Sequence, residues 1–278
     1  NILICENMIG SNVYLHDLVS AHISDACRDY FENQIGFVCV SVGRMVPPTP
    51  AELAEKNALA VCVEPYSKLP VDADGFRPVG CDYPPLKGLV PFAPFEFFIE
   101  QKLMMHNMGH AVTAYLGAWK GYEWICDASL DPEIKYFMTR ALTESARALS
   151  RKHGADLDAA LEFTDDLTVR FENRLLGDTV LRVGRDTKRK LAEHDRLVGA
   201  YNTAKAVGIV PAYIALGIAA GYLFEQKDDP TSLETSAFAR EKGIAAALEK
   251  YSNMTDAEDV NTVSLFYDML SRKASFAE

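Results

Sequence analysis

Lys102-Leu-Met-Met-His106-Asn107-Met-Gly109-His110 gathers an amine, two imidazoles and a carboxamide within nine residues. On an α-helix, at about 100° per residue, Lys102, His106, His110 and Asn107 fall at roughly 0°, 40°, 80° and 140°, which is one polar face. A face of this kind can exchange an alcohol proton and polarise a carbonyl, the two tasks a carbonyl/alcohol dehydrogenase needs besides its cofactor. A polar stripe that faces water, or is satisfied inside a core, has the same spacing. A second carboxamide, Asn7 of Cys5-Glu6-Asn7-Met8, stands at the carboxyl end of a predicted strand, where α/β proteins place ligand crevices. Asn is also a common turn residue, so Asn7 matters only if it and Asn107 converge on one oxygen.

The elements that must position these groups fall into two kinds. The opening reads as strand (Ile2 to Cys5), amphipathic helix (Asn12 to Gln34), strand (Gly36 to Val42), loop and strand (Ala58 to Val63), the alternation of an α/β layer. Pro65 to Pro94 holds seven of the 13 prolines and reads as a linker or wrapping segment. From Phe95 onward, 3.6-period patterns follow one another: Phe95 to Leu116, Asp131 to His153, Leu157 to Asn173, Glu193 to Ala206, Pro211 to Phe224, Thr231 to Tyr251 and Asp256 to Lys273. Asp131 before Pro132 reads as a helix cap, and Thr231 with Glu234 as a capping box. The expected architecture is mainly α. A multi-helix domain over 95–278 follows an α/β part plus linker over 1–94.

Composition narrows the function. A formal charge of −11 and a pI near 5.1 argue against a broad nucleic-acid surface, so an anionic ligand needs a local basic patch. Six scattered cysteines without a C-x-x-C pair fit neither a zinc site nor a disulfide scaffold and suggest reduced thiols in a cytoplasmic protein. Ala206 to Phe224 is uncharged over 19 residues, but Pro211, three glycines and many alanines favour a buried helix over a membrane span. Asn1-Ile-Leu-Ile reads at once as a buried strand, so the chain is expected to be cut from something longer. Neither a Gly-x-Gly-x-x-Gly loop nor a Walker-type loop occurs.

The acidic chain carries one basic run: Arg174, Arg182, Arg185, Lys188, Arg189, Lys190 and Arg196. Part of it must simply face water. Its chemical use would be a phosphate or hydroxyl clamp, since guanidinium forks match phosphate oxygens bidentately. His16, His22, His153 and His194 have no companion motif and read as surface or core residues.

Taken together, several motifs resemble the polyol-specific long-chain dehydrogenases (the mannitol dehydrogenase family), and most of all their mannitol-1-phosphate 5-dehydrogenase branch. They are Cys5-Glu-Asn-Met8, Gly36-Phe37 through Arg44 to Pro47, Lys102 with His106-Asn107 and Gly109-His110-Ala111, and Leu176-Gly-Asp-Thr-Val180 with Arg182-Val183 and Arg185-Asp186. The resemblance runs over nearly the whole chain. It implies a helical substrate domain preceded by the last α/β part of a Rossmann-type nucleotide-binding domain, with most NAD contacts upstream of Asn1. It also implies Lys102 as general acid/base, Asn7 and Asn107 as donors to the reacting oxygen, and His110 orienting substrate or Lys102. Arg182 and Lys190 are the implied substrate contacts, and His106 either contacts substrate or occupies the edge of the polar face. The implied reaction is metal-independent hydride transfer between NAD(H) and D-mannitol 1-phosphate or D-fructose 6-phosphate by a cytoplasmic monomer, and this chain alone is expected to be inactive.

One departure keeps alternatives open. Where the family carries Val-Asp-Arg, this chain reads Val42-Gly43-Arg44, so an acidic side chain near the substrate is gone. An unphosphorylated polyol or a hexuronate is the alternative substrate. A non-catalytic helical binding module is the alternative of another class.

Overall fold

The computed structural model describes residues 1–6, 8 and 10–272. The chain is mostly helical and divides into two compact units, Asn1–Lys102 and Leu103–Glu278.

In the first unit, β1 (Ile2–Ile4) pairs in parallel with β2 (Phe37–Cys39), with Ile2 opposite Phe37 and Ile4 opposite Cys39. Parallel pairing requires a crossover, supplied by α1 (Ser11–Ser20) and α2 (Asp25–Gln34). The single helix expected over this stretch is therefore two. Ile4, Phe31 and Phe37 form one small core, and Val38, Val40, Val71 and Phe76 another. Gly36, at the foot of β2, is held to glycine by close approach: a Cβ there would stand 2.0 Å from Asn1 Oδ1 and 2.6 Å from the Gly75 carbonyl. The Asn1 amide in turn pairs with both backbone groups of Arg77, at 2.7 and 2.9 Å.

Two expectations for this unit fail. Ala58 to Val63 forms no strand, because Leu59, Val61 and Val63 face solvent and the Leu59 amide turns back to donate to Asn57 Oδ1. A helix, α3 (Ala51–Lys56), precedes it. Conversely, the proline-rich stretch contains a parallel pair, β3 (Leu69–Asp72) and β4 (Leu89–Phe92), despite Pro70 and Pro91 within them. The unit closes with α4 (Glu96–Gln101).

The second unit is a helical bundle around α5 (Met108–Lys120) and α12 (Ala212–Leu223), which pack on one another. Ala114, Tyr115 and Leu116 of α5 and Ile214, Leu216 and Tyr222 of α12 are fully enclosed. Glycines bring the two axes close: a Cβ at Gly217 would stand 2.6 Å from Val112 Cγ2. The uncharged stretch of the sequence is thus the core helix. At about 1.5 Å per residue it is too short to span a bilayer, and no helix among the described residues is long and apolar enough to cross a membrane.

Around these run α6 (Ile125–Leu130), α7 (Pro132–His153), α8 (Leu157–Phe171), α9 (Val180–Gly184), α10 (Thr187–Lys190), α11 (Val198–Ala206), α13 (Pro230–Lys242), α14 (Ile244–Ser252) and α15 (Ala257–Ser271). Asp131 caps α7 by accepting from the Glu133 and Ile134 amides, with Pro132 in the first helical position. The expected capping box at Thr231 is replaced by Asp229, which accepts from the Thr231 amide ahead of Pro230. Gly243, at φ 88°, splits the expected helix over Thr231 to Tyr251 into α13 and α14. Glu193 to Leu197 forms turns, so α11 begins at Val198.

Candidate active site

The polar motif around Lys102 is helical, but its first part is not an α-helix. Lys102–Asn107 forms a turn of π-helix between α4 and α5. Its backbone bonds run i→i+5, so the turn that starts at Lys102 closes nearer Asn107 than an α-turn would. The angles expected from α-helical spacing are corrected accordingly, and the lysine and carboxamide draw closer in phase. Such single π-turns concentrate at functional sites.

Asn107 also occupies the cap of α5, where its side chain makes no capping bond. Gly109 is required by packing, since a Cβ there would stand 2.8 Å from Leu142 Cδ2 and 3.3 Å from the Phe171 ring. Asn7 lies outside the described residues.

Within the second unit, Phe171 at the end of α8 supports both histidines. His110 stacks on it with centroids 4.9 Å apart and planes 10° from parallel, and His106 tilts against it at 5.8 Å. The two imidazoles stand 6.3 Å apart. His106 is buried, and the His110 side chain keeps 17% exposure.

The electrostatics of His110 follow from its neighbours. Its Nε2 lies 3.3 Å from Asp178 Oδ2, off line for a hydrogen bond, and the other Asp178 oxygen pairs with Arg182. Burial, followed by the charges of Lys190, Arg182, Arg196 and Arg170, holds the His110 pKa down to about 3. The nearby carboxylate alone would raise it, but burial and four cations outweigh one partly neutralised anion. His110 is therefore a neutral imidazole at pH 7. A small cavity with room for about one water, lined by His110, Cys126, Phe171, Asn173 and Asp178, lies beside it.

Lys190 is the second perturbed group. Only 6% exposed, its ammonium donates to the Val183 carbonyl, and burial, with Arg196 and Arg189 close by, lowers its pKa to about 7. A lysine poised between charge states in a polar site is characteristic of functional positions.

Of the residues nominated from sequence, His106, His110, Arg182 and Lys190 thus gather in the second unit. Lys102 and Asn107 bracket the π-turn. Asp178 and Phe171 are the members sequence reasoning did not nominate. Asp178 had a readable signal, an acid four residues before Arg182, whereas nothing local marks Phe171 as a platform for residues some 60 positions earlier. Among the other histidines, His16 lies between Asp17 and Glu32, which raise its pKa, and His194 is on the surface. Among the described residues no group of three or more His, Cys, Asp or Glu side chains is placed to hold a metal ion.

Comparison with known proteins agrees with this layout. Residues 1–79 match the profile of the mannitol dehydrogenase Rossmann domain, and residues 95–271 that of the mannitol dehydrogenase C-terminal domain. A D-sorbitol dehydrogenase solved in substrate-free form is similar at TM-score 0.80 and 20% identity, over 98% of this chain and 60% of that one. The Pseudomonas fluorescens mannitol 2-dehydrogenase, solved as a ternary complex with NAD and D-mannitol, is similar at TM-score 0.71 and 20% identity, with the same coverage. The chain spans 60% of the length of each, and likeness at this identity concerns the fold. With both of its profiles matched and the C-terminal one alone covering more than half of the sequence, the chain belongs to the mannitol dehydrogenase family.

Proposed function

We propose that the protein is an NAD-dependent dehydrogenase interconverting a polyol and its ketose, with this chain carrying the acid/base and substrate side of the site. The observation that carries the reading is the cluster in the second unit, where a neutral His110 stands among Arg182, the buried Lys190 and Asp178. When bound, NAD would supply the hydride acceptor. Among the described residues there is no glycine-rich phosphate loop, only the β1–α1–α2–β2 unit on which such domains are built.

In the oxidation direction the carbinol hydrogen departs as hydride, and the hydroxyl proton passes to the side-chain amine of Lys102. Asn107 donates to the oxygen as it gains carbonyl character, while a carboxamide takes up no proton itself. In reduction, Lys102 returns the proton. His110, His106, Arg182 and Lys190 hold the remaining hydroxyls and any anionic group.

The finer reading is D-mannitol 1-phosphate and D-fructose 6-phosphate as the pair, supported by the cations Arg170, Arg182, Lys190 and Arg196 around His110. A second reading, an unphosphorylated polyol or a hexuronate, is favoured by the engagement of Arg182 with Asp178 and by Gly43. It is also in keeping with the two similar structures, a D-sorbitol dehydrogenase and a mannitol 2-dehydrogenase. Specificity constants of the full-length protein with NAD on mannitol 1-phosphate, free mannitol and hexuronates separate these. A preference of at least about tenfold, or about 1.4 kcal/mol, for the phosphorylated substrate is expected. Equal constants remove the phosphate clamp, and no NAD-linked turnover of any of them removes the dehydrogenase reading.

A further inference from the structure

Asp178 stands between two of the residues nominated for substrate, with one carboxylate oxygen toward each. Oδ2 lies 3.3 Å from His110 Nε2, and Oδ1 pairs with Arg182. The carboxylate is only 9% exposed. Its backbone is strapped from both sides: the Ile125 amide donates to the Asp178 carbonyl at 2.9 Å, and the Val180 amide donates to the Glu123 carbonyl at 2.9 Å. The next residue, Thr179, caps α9 by accepting from the Arg182 amide. Asp178 therefore sits on a fixed backbone, and Arg182 on the helix that starts beside it.

The electrostatic consequence concerns the proton on His110. A neutral imidazole carries one N–H and one lone pair. Turning the Nε2 lone pair toward an anion 3.3 Å away is repulsive, whereas placing the proton there is attractive. The surrounding cations keep a second proton off, and Arg182 absorbs much of the carboxylate charge that would otherwise draw one on. Phe171, stacked on the ring, restricts its orientation.

We infer that Asp178 is a positioning residue that holds His110 as the Nε2–H tautomer, leaving Nδ1 as an acceptor for a substrate hydroxyl. The Nδ1 role rests on the dehydrogenase reading, and the tautomer does not. The off-line resting contact fits such a role, since catalytic hydrogen bonds often align fully only once substrate is bound. Asp178 thereby ties the histidine and the arginine of the site to one anchor.

The test is ¹⁵N NMR of histidine-labelled full-length protein at pH 7, with the His110 ring assigned by its loss in His110→Gln. The expected result is a neutral ring protonated at Nε2 in the wild type. In Asp178→Asn the tautomer preference is lost and kcat falls about 10–100-fold, the usual range for an outer partner that orients a ligating histidine, with KM less affected. Asp178→Glu restores part of both. A wild-type ring protonated at Nδ1, or an imidazolium, overturns the inference even if Asp178→Asn fails to fold. An Asp178→Asn protein with unchanged tautomer and kcat overturns it as well. Absence of NAD-linked polyol turnover in the wild type would sink the dehydrogenase reading and the Nδ1 role, while the NMR result judges the hold of Asp178 on His110 separately.

Discussion

His110 lies flat on Phe171, with ring centroids 4.9 Å apart and planes within 10° of parallel. Phe171 is almost fully buried and also meets His106 and the backbone at Gly109. Phe171→Leu keeps an apolar filler but removes the flat support. We expect about 1–3 kcal/mol lost in urea unfolding and a specificity constant lowered more than that stability loss explains. An unchanged specificity constant would show that the stack does not orient His110.

Under the proposed function, Lys190 couples substrate binding to pH. Its pKa, lowered to about 7 by burial and neighbouring arginines, means that it holds its charge below pH 7 and loses it above. The specificity constant for a phosphorylated polyol should fall by up to about tenfold per pH unit above 7, and Lys190→Met should flatten the profile. Stability moves the other way. The folded state binds fewer protons than the unfolded state between about pH 7 and the ordinary lysine value near 10.4, so this group contributes a rise in stability as pH increases through that window.

Glu144 is a cap supplied from a neighbouring helix. Lying on α7, its carboxylate accepts from the Tyr213 and Ile214 amides at the start of α12, at 3.0 to 3.1 Å. Burial pushes its pKa up to about 7, against these bonds and the nearby Arg140. The folded state thus holds a proton that the unfolded state has lost above about pH 4.3. Its stabilising contribution is full below that value and declines as pH rises to 7. Thermal unfolding across this range should show the decline in the wild type and less of it in Glu144→Gln. Glu144→Ala, which leaves two helix-start amides without their acceptor, should cost about 1–3 kcal/mol.

Gly43 is open to replacement. A Cβ there would meet the Tyr66 ring at 3.4 Å, an ordinary contact, and its backbone is not left-handed. Gly43→Asp should therefore fold with a Tm close to wild type while shifting the ratio of specificity constants between phosphorylated and free polyols. An identical ratio in a folded variant would remove position 43 from substrate choice.

The helical part of this fold was legible because its signals are local. Asp131 before Pro132 announces a helix start, and the uncharged stretch before Phe224 announces a core helix. The pair β3–β4 was hidden because Pro70 and Pro91 read against strands, and the α13–α14 break because only the conformation of Gly243 makes it. The π-turn at Lys102 was not legible either, since it differs from an α-turn in backbone pairing and not in side-chain pattern. Within the candidate site, Arg182, Lys190 and His110 could be nominated from motifs. The pairing of Asp178 with both His110 and Arg182 could not, because a contact across 68 positions is set by the packing of α5 against α9.

The proposed role of Lys102 in proton transfer is tested by turnover and NAD binding of Lys102→Ala in the full-length protein. Loss of an acid/base group predicts kcat lower by at least about 10²–10⁴-fold, with NAD affinity within about twofold of wild type. Turnover equal to wild type would remove Lys102 from the chemistry.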